Sequence, residues 1–105
     1  MNAAPATVVI EYRALPGKGA LAHAALADLI ATVVADEKDC VGITLLEDAD
    51  DDTHFMLYER WASREAYTGP HMETSHILAF IERASGLFAG PPSRAFYVQQ
   101  VEERR

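Results

Sequence analysis

The sequence is poor in four things, and each scarcity excludes a class of protein. Among 105 residues there is a single cysteine, Cys40, which rules out an intrachain disulfide and a thiolate metal cluster and leaves a buried or idle thiol. Nine Lys and Arg stand against 16 Asp and Glu, a net charge of −7, and the only basic cluster, Arg104-Arg105, directly follows Glu102-Glu103. A nucleic-acid partner would need clustered cations to neutralise phosphates, so none is expected. No unbroken apolar run approaches the roughly 20 residues needed to cross a bilayer, and no membrane partner is expected either. The opening Met1-Asn2-Ala3-Ala4-Pro5-Ala6 has neither the basic start nor the long apolar stretch of a secretory signal. It reads as a short loose arm, and the cytoplasm is the expected compartment.

Half the residues are apolar and 24% are charged, the balance of an ordinary globular chain. The length suits one domain over 1–105, with an ordered core over about 7–102. Val8, Val9, Ile10 and Tyr12 make a β-rich run closed by Leu15-Pro16-Gly17-Lys18-Gly19. From Gly19 to Glu37, Leu21, Ala25, Leu29 and Val33 recur with Leu26, Ile30 and Val34 at helical spacing. A second strand runs over Val41 to Glu47, the acids Asp48 to Asp52 make a turn, and His54 to Trp61 gives a third strand. So short a link makes those two an antiparallel hairpin. Ser63 caps a short helix over Arg64 to Thr68, which Gly69-Pro70 interrupts. A further helix starts near Thr74 or Ser75 with Ile77, Ile81, Ala84 and Phe88 on one stripe, and Gly86 with Gly90-Pro91-Pro92 ends it. Arg94 to Glu102 is the last strand. The order β-α-β-β-α-β is that of an α+β, ferredoxin-like domain with an antiparallel sheet.

Such a fold lays both helices on one face of the sheet, yet the strands are apolar on both. Phe55, Leu57 and Trp61 alternate with Met56 and Tyr58, and Val8, Ile10 and Tyr12 lie opposite Val9. Two helices cannot cover both sides, so a second copy is expected to pack sheet against sheet, giving a homodimer shaped like an α/β barrel.

The stretch Tyr58-Glu59-Arg60-Trp61-Ala62-Ser63-Arg64-Glu65-Ala66-Tyr67, followed by His71, Ser75-His76 and Phe80, resembles the antibiotic biosynthesis monooxygenase family. That family shows a strand ending Tyr-Glu-x-Trp, a small helix beginning near Ser or Asp, and a His before the next helix. The resemblance covers nearly the whole chain, taking in the Gly17-Lys18 turn, Glu37 and the Leu46-Glu47-Asp48 hairpin. Lys38-Asp39 stands where relatives have Pro-Gly. The resemblance implies a dimer with a small pocket between sheet and helices in each subunit. It implies, too, oxidation of a quinol, anthrone or similar polyphenol by molecular oxygen with no metal, flavin or other cofactor. Relatives that degrade haem use an Asn on strand one, which is absent here, and their Trp and His positions align with Pro70 and Phe80. A small-molecule-binding dimer without catalysis, or an isomerase, would suit the same fold, since fold does not decide chemistry.

Cofactor-free oxygenation needs an electron-rich substrate that loses a proton, an apolar slot and exclusion of water. The catalytic candidates are His71, Tyr67 and Trp61; Phe55, Glu59, His76 and Phe80 are candidates for contact with the small aromatic substrate. Trp61 and Phe55 offer π-faces, Tyr67 a hydroxyl donor placed like that of an anthrone-oxidising relative, and His71 or His76 a base near neutrality. Arg60 or Arg83 would stabilise a phenolate. Each also has a purely structural reading: Trp61 as core filler, His71 and His76 as hydrogen-bonded helix residues, Glu59 as a buried partner of an arginine. Five-residue spacing puts His71 and His76 on different faces of a helix, unlike the i, i+4 pair of a zinc helix, so no metal is expected. His23 and His54 are expected in solvent.

Overall fold

The computed structural model describes residues 4–105; the first three residues of the expected N-terminal arm lie outside that range. Ala6, assigned to the arm by sequence, already belongs to the sheet. The elements are β1 (Ala6–Arg13), α1 (Gly19–Asp36), β2 (Cys40–Asp48), β3 (Asp51–Trp61), α2 (Arg64–Thr68), a 3-10 turn (Pro70–Glu73), α3 (Ser75–Ala84) and β4 (Ser93–Tyr97). The sheet order is β2-β3-β1-β4 with every pair antiparallel, so α1 crosses from β1 to β2 over the strand that later fills the gap. This is the expected ferredoxin-like α+β fold.

Alternation in the strands divides the sheet cleanly. Val8, Ile10 and Tyr12 of β1 and Phe55, Leu57 and Trp61 of β3 are buried beneath the helices. Val9, Met56 and Tyr58 are half-buried on the opposite side, beside the exposed Leu46 and Tyr97. Charged turn residues shape the hairpin, for the Asp48 carboxylate accepts from the Asp50 N–H at 2.9 Å. Asp51 accepts from the Thr53 N–H at 2.9 Å and its hydroxyl at 2.6 Å. These bonds shorten the loop to Ala49-Asp50, and β3 starts at Asp51 instead of His54.

Three expectations about the elements are corrected. The buried stripe of α1 is Ala22, Ala25, Leu26 and Val33, while Leu21 and Val34 are 53% and 46% exposed. Small alanines let the helix approach the sheet closely, which turns the larger side chains at either end outward. At the start of the same helix a Cβ on Gly19 would lie 2.5 Å from the Asp52 backbone oxygen, so only glycine allows this approach to the hairpin. On α3, Ile77 and Phe80 are buried but Ile81 is 53% exposed, and Phe88 lies past the helix in a bridge with Ala14. β4 stops at Tyr97, short of the expected Glu102, because its partner β1 pairs with it only from Thr7 to Glu11.

By length and composition alone α1, with 18 residues and a mean hydropathy of 1.4, is long and apolar enough to cross a membrane. Counting unbroken apolar runs passes over it because His23 and Asp28 interrupt them. In the fold it lies on the sheet and touches α3.

Candidate active site

Between the sheet and the helices lies a cavity of about 490 Å³, within the range of small-molecule sites. Leu29 and Ile30 of α1, Leu57 of β3 and Ile77 and Phe80 of α3 form apolar walls, and the exposed Ile81, Ser85 and Pro91 lie at its rim. Polar groups gather at one end: Glu59, Tyr67, His71 and Arg94. Four different elements supply them. Glu59 points inward because it keeps the β3 alternation of Phe55 and Leu57. Tyr67 is held by α2, whose first turn is capped by the Ser63 hydroxyl accepting from the Ala66 N–H at 3.1 Å. Pro70 starts the 3-10 turn that carries His71, and Arg94 comes from β4 opposite Ile10.

Glu59 is 3% exposed. One oxygen accepts from the Trp61 indole N–H at 2.8 Å. Burial pushes its carboxyl up to about 7, with the indole hydrogen bond and the Arg94 charge pulling the other way. Tyr67 accepts a hydrogen bond from Arg94 Nε at 2.7 Å, leaving its own proton free to donate, and burial raises its hydroxyl to about 12. It remains a donor at any physiological pH. His71 is also buried, and Nδ1 lies 2.9 Å from both oxygens of Glu37 at the end of α1. Because a carboxylate only accepts, Nδ1 carries the hydrogen and Nε2 the lone pair. Desolvation lowers the His71 pKa against the pull of Glu37, keeping the ring neutral near pH 7. Tyr12, also on the cavity wall, is raised by burial first and then by Tyr67 and Glu59. The Cys40 thiol, pushed up to about 11 by burial, is inert.

The other expected residues divide. Trp61 is 1% exposed and sits behind the cavity, its ring 4.6 Å from His71 and 5.6 Å from Tyr67. It orients Glu59 and packs both rings without lining the space. Phe55 is fully buried away from the cavity, 6.3 Å from the ring of the exposed His23. Phe80 lines the cavity as expected of it, whereas His76 lines a smaller neighbouring groove. The Arg60 side chain lies on the outer face of the sheet over Tyr58, and Arg83 is exposed beside Asp28, so neither reaches the cavity. The cation at its polar end is Arg94. His54 is not free in solvent but bridges Asp48 and Glu11 at 3.2 and 3.1 Å. His71 and His76 do not diverge as helical spacing suggested: His71 stands on the 3-10 turn and His76 on α3, and His76 Nε2 lies 2.6 Å from the same Glu37. Sequence reasoning missed Glu37 and Arg94 as site residues. The one available signal for Arg94 was an inward-facing charge on a strand.

The sequence model described as antibiotic biosynthesis monooxygenase matches residues 5–83. The chain belongs to that family. Membership makes monooxygenation the reaction class to test. None of the curated proteins matches. Among solved structures, PA3566 of Pseudomonas aeruginosa superposes with a TM-score of 0.85 at 23% identity, covering 96% of this chain and 99% of its own. Rv0793 of Mycobacterium tuberculosis gives 0.82 at 24% identity, covering 96% and 100%. A candidate antibiotic biosynthesis monooxygenase of Nitrosomonas europaea gives 0.83 at 21%, covering 94% and 93%. At these identities the likeness establishes the shared fold.

Proposed function

We propose that the chain is a cofactor-independent monooxygenase that oxidises a quinol, anthrone or similar polyphenol with O2, working as a homodimer. The observation that carries this reading is the composition of the cavity: apolar walls suited to a flat aromatic molecule, and at one end a carboxylate with a pKa near 7 beside a tyrosine donor backed by an arginine. A general base serves best when its pKa lies near the working pH, and burial, offset in part by Trp61 and Arg94, tunes Glu59 to that value. His71, weakened as a base by burial and held through Nδ1, contacts substrate as a second polar group.

For an anthrone the steps balance without an added reductant. Glu59 takes a proton from the substrate, and the Tyr67 hydroxyl, polarised by Arg94, donates to the oxygen that gains charge. The anion passes one electron to O2; recombination of the radical pair forms a carbon–oxygen bond, and the peroxide is protonated by Glu59. Loss of water then converts the methylene carbon to a carbonyl. One oxygen atom of O2 stays on that carbon, and the other leaves as water with the two hydrogens the methylene has lost. Apolar walls exclude water, so the substrate radical and superoxide recombine within the cavity.

Oxygen consumption, measured with the purified protein and a panel of quinols and anthrones at neutral pH, tests the reading. Uptake above the autoxidation rate, one O2 per product, is expected for at least one of them. No uptake with any, together with tight aromatic binding, would replace catalysis with sequestration.

A further inference from the structure

We propose that Glu37, His71 and His76 form a binding site for a divalent first-row transition cation such as Zn2+, Co2+ or Ni2+. Three elements bring these side chains together: the end of α1, the 3-10 turn and the first turn of α3. Their ligand atoms all lie within 4.8 Å of one another, His71 Nδ1 at 2.9 Å and His76 Nε2 at 2.6 Å from Glu37 Oε2. With bonds of about 2.0–2.2 Å in a tetrahedral arrangement, ligand atoms stand roughly 3.3 Å apart. Entry of an ion therefore needs the two carboxylate contacts to open by about half an ångström and the histidine nitrogens, no more than 4.8 Å apart, to settle at that spacing, within reach of side-chain rotation. The loop Lys38-Asp39 remains fixed by Cys40 N–H donating to the Glu37 carbonyl at 3.0 Å.

Charge favours the ion. The Glu37 side chain is 13% exposed, and among the described residues it pairs with no lysine or arginine. Two imidazoles satisfy its hydrogen bonds but, when neutral, supply no positive charge to a largely buried carboxylate. A divalent cation supplies it and takes the lone pair of His71 Nδ1 once that hydrogen leaves or moves to Nε2. Trp61 at 4.6 Å and Tyr67 at 4.9 Å hold the His71 ring in place, which reduces the entropy lost on coordination. Two imidazole nitrogens and one carboxylate suit borderline transition ions, whereas Mg2+ and Ca2+ prefer all-oxygen sets. Three protein ligands leave further positions open; His71 also lines the large cavity and His76 the smaller groove, so the ion stands behind His71, between the two. His71 serves both readings, but Glu37 and His76 lie outside the large cavity, so cation binding measured without substrate is separable from oxygen uptake.

Calorimetric titration of chelator-treated protein with Co2+, paired with visible absorption, tests the site in the absence of any substrate. One ion per chain is expected, with no heat from Mg2+. His76→Ala and Glu37→Gln should each weaken binding by more than the roughly 10–100-fold that loss of an outer-layer partner costs. His76 is partly exposed and Gln keeps the shape of Glu, so both variants should fold, as circular dichroism would check. A His54→Ala control should bind as the parent does, since His54 with Asp48 and Glu11 is the other histidine–carboxylate cluster. Absence of Co2+ binding, affinity unchanged in both ligand variants, or loss only in His54→Ala would each overturn the proposal.

Discussion

Glu59 illustrates how one side chain acquires reactivity from its surroundings. Facing it are Arg94 from β4, Tyr12 from β1, Tyr67 from α2, Cys40 from β2 and Glu37 after α1; desolvation, with the Glu37 charge, outweighs the Trp61 hydrogen bond and Arg94. The rate on an aromatic substrate, as kcat/KM, should rise with pH through an apparent pKa near 7. Glu59→Gln should abolish that rise and lower kcat/KM by about 10²–10⁴. Stability should move in the opposite sense. A carboxyl at about 7 in the folded state and about 4.3 in the unfolded chain keeps its proton longer when folded. Folding is thus favoured at low pH, and this contribution is lost as pH rises through that window, by at most about 4 kcal/mol. Relative to the parent, Glu59→Gln should gain stability between pH 5 and 8, read from denaturant midpoints. His71, whose pKa is lowered, tilts stability the other way but does so in both proteins, so it cancels in the difference. Tyr67→Phe removes the donor while keeping the ring, and should cost about 10²–10³ in kcat with little change in KM, measured by oxygen uptake.

At the scale of elements, the short helix α2 decides where Tyr67 stands. Five residues cannot hold a helix by themselves, so α2 depends on its cap and its packing. Besides the Ser63 cap, the Arg64 guanidinium lies 4.0 Å over the Phe96 ring and Tyr67 meets the same ring edge-on at 5.7 Å. Ser63→Ala should cost about 1 kcal/mol in chemical denaturation and slow turnover by loosening Tyr67. Gly19→Ala tests a different contact: the added methyl group meets the Asp52 carbonyl oxygen, so hairpin or helix must shift at a cost of about 1–3 kcal/mol despite alanine's better helix propensity. Strand and helix identities were readable because alternation and helical spacing are local. The phase of α1 was not, since which stripe faces inward depends on alanines packing against the sheet, and the ends of β3 and β4 depended on turn hydrogen bonds and on a partner strand's length.

For the whole molecule, the question is the uncovered side of the sheet. Val9, Met56 and Tyr58 lie there with Leu46 and Tyr97, and a face-to-face second copy would bury them. Tyr58→Arg places a second cation beside Arg60 on that face, so sedimentation should show the parent as a dimer and the variant as a monomer. The sequence by itself determined the α+β order, the one-sided cover of helices and the segment from Glu59 to His76, because periodicity, turn residues and a contiguous motif are properties of neighbours along the chain. Only the tertiary structure decided which of those residues meet. It turned Phe55 and Trp61 into the core, put Arg94 rather than Arg60 or Arg83 beside Tyr67, and drew His71 and His76 onto Glu37. Glu37 and Arg94 are distant in sequence from the motif they complete; strand alternation could mark Arg94 as an inward-facing charge, but which groups either residue meets is set by folding across the sheet.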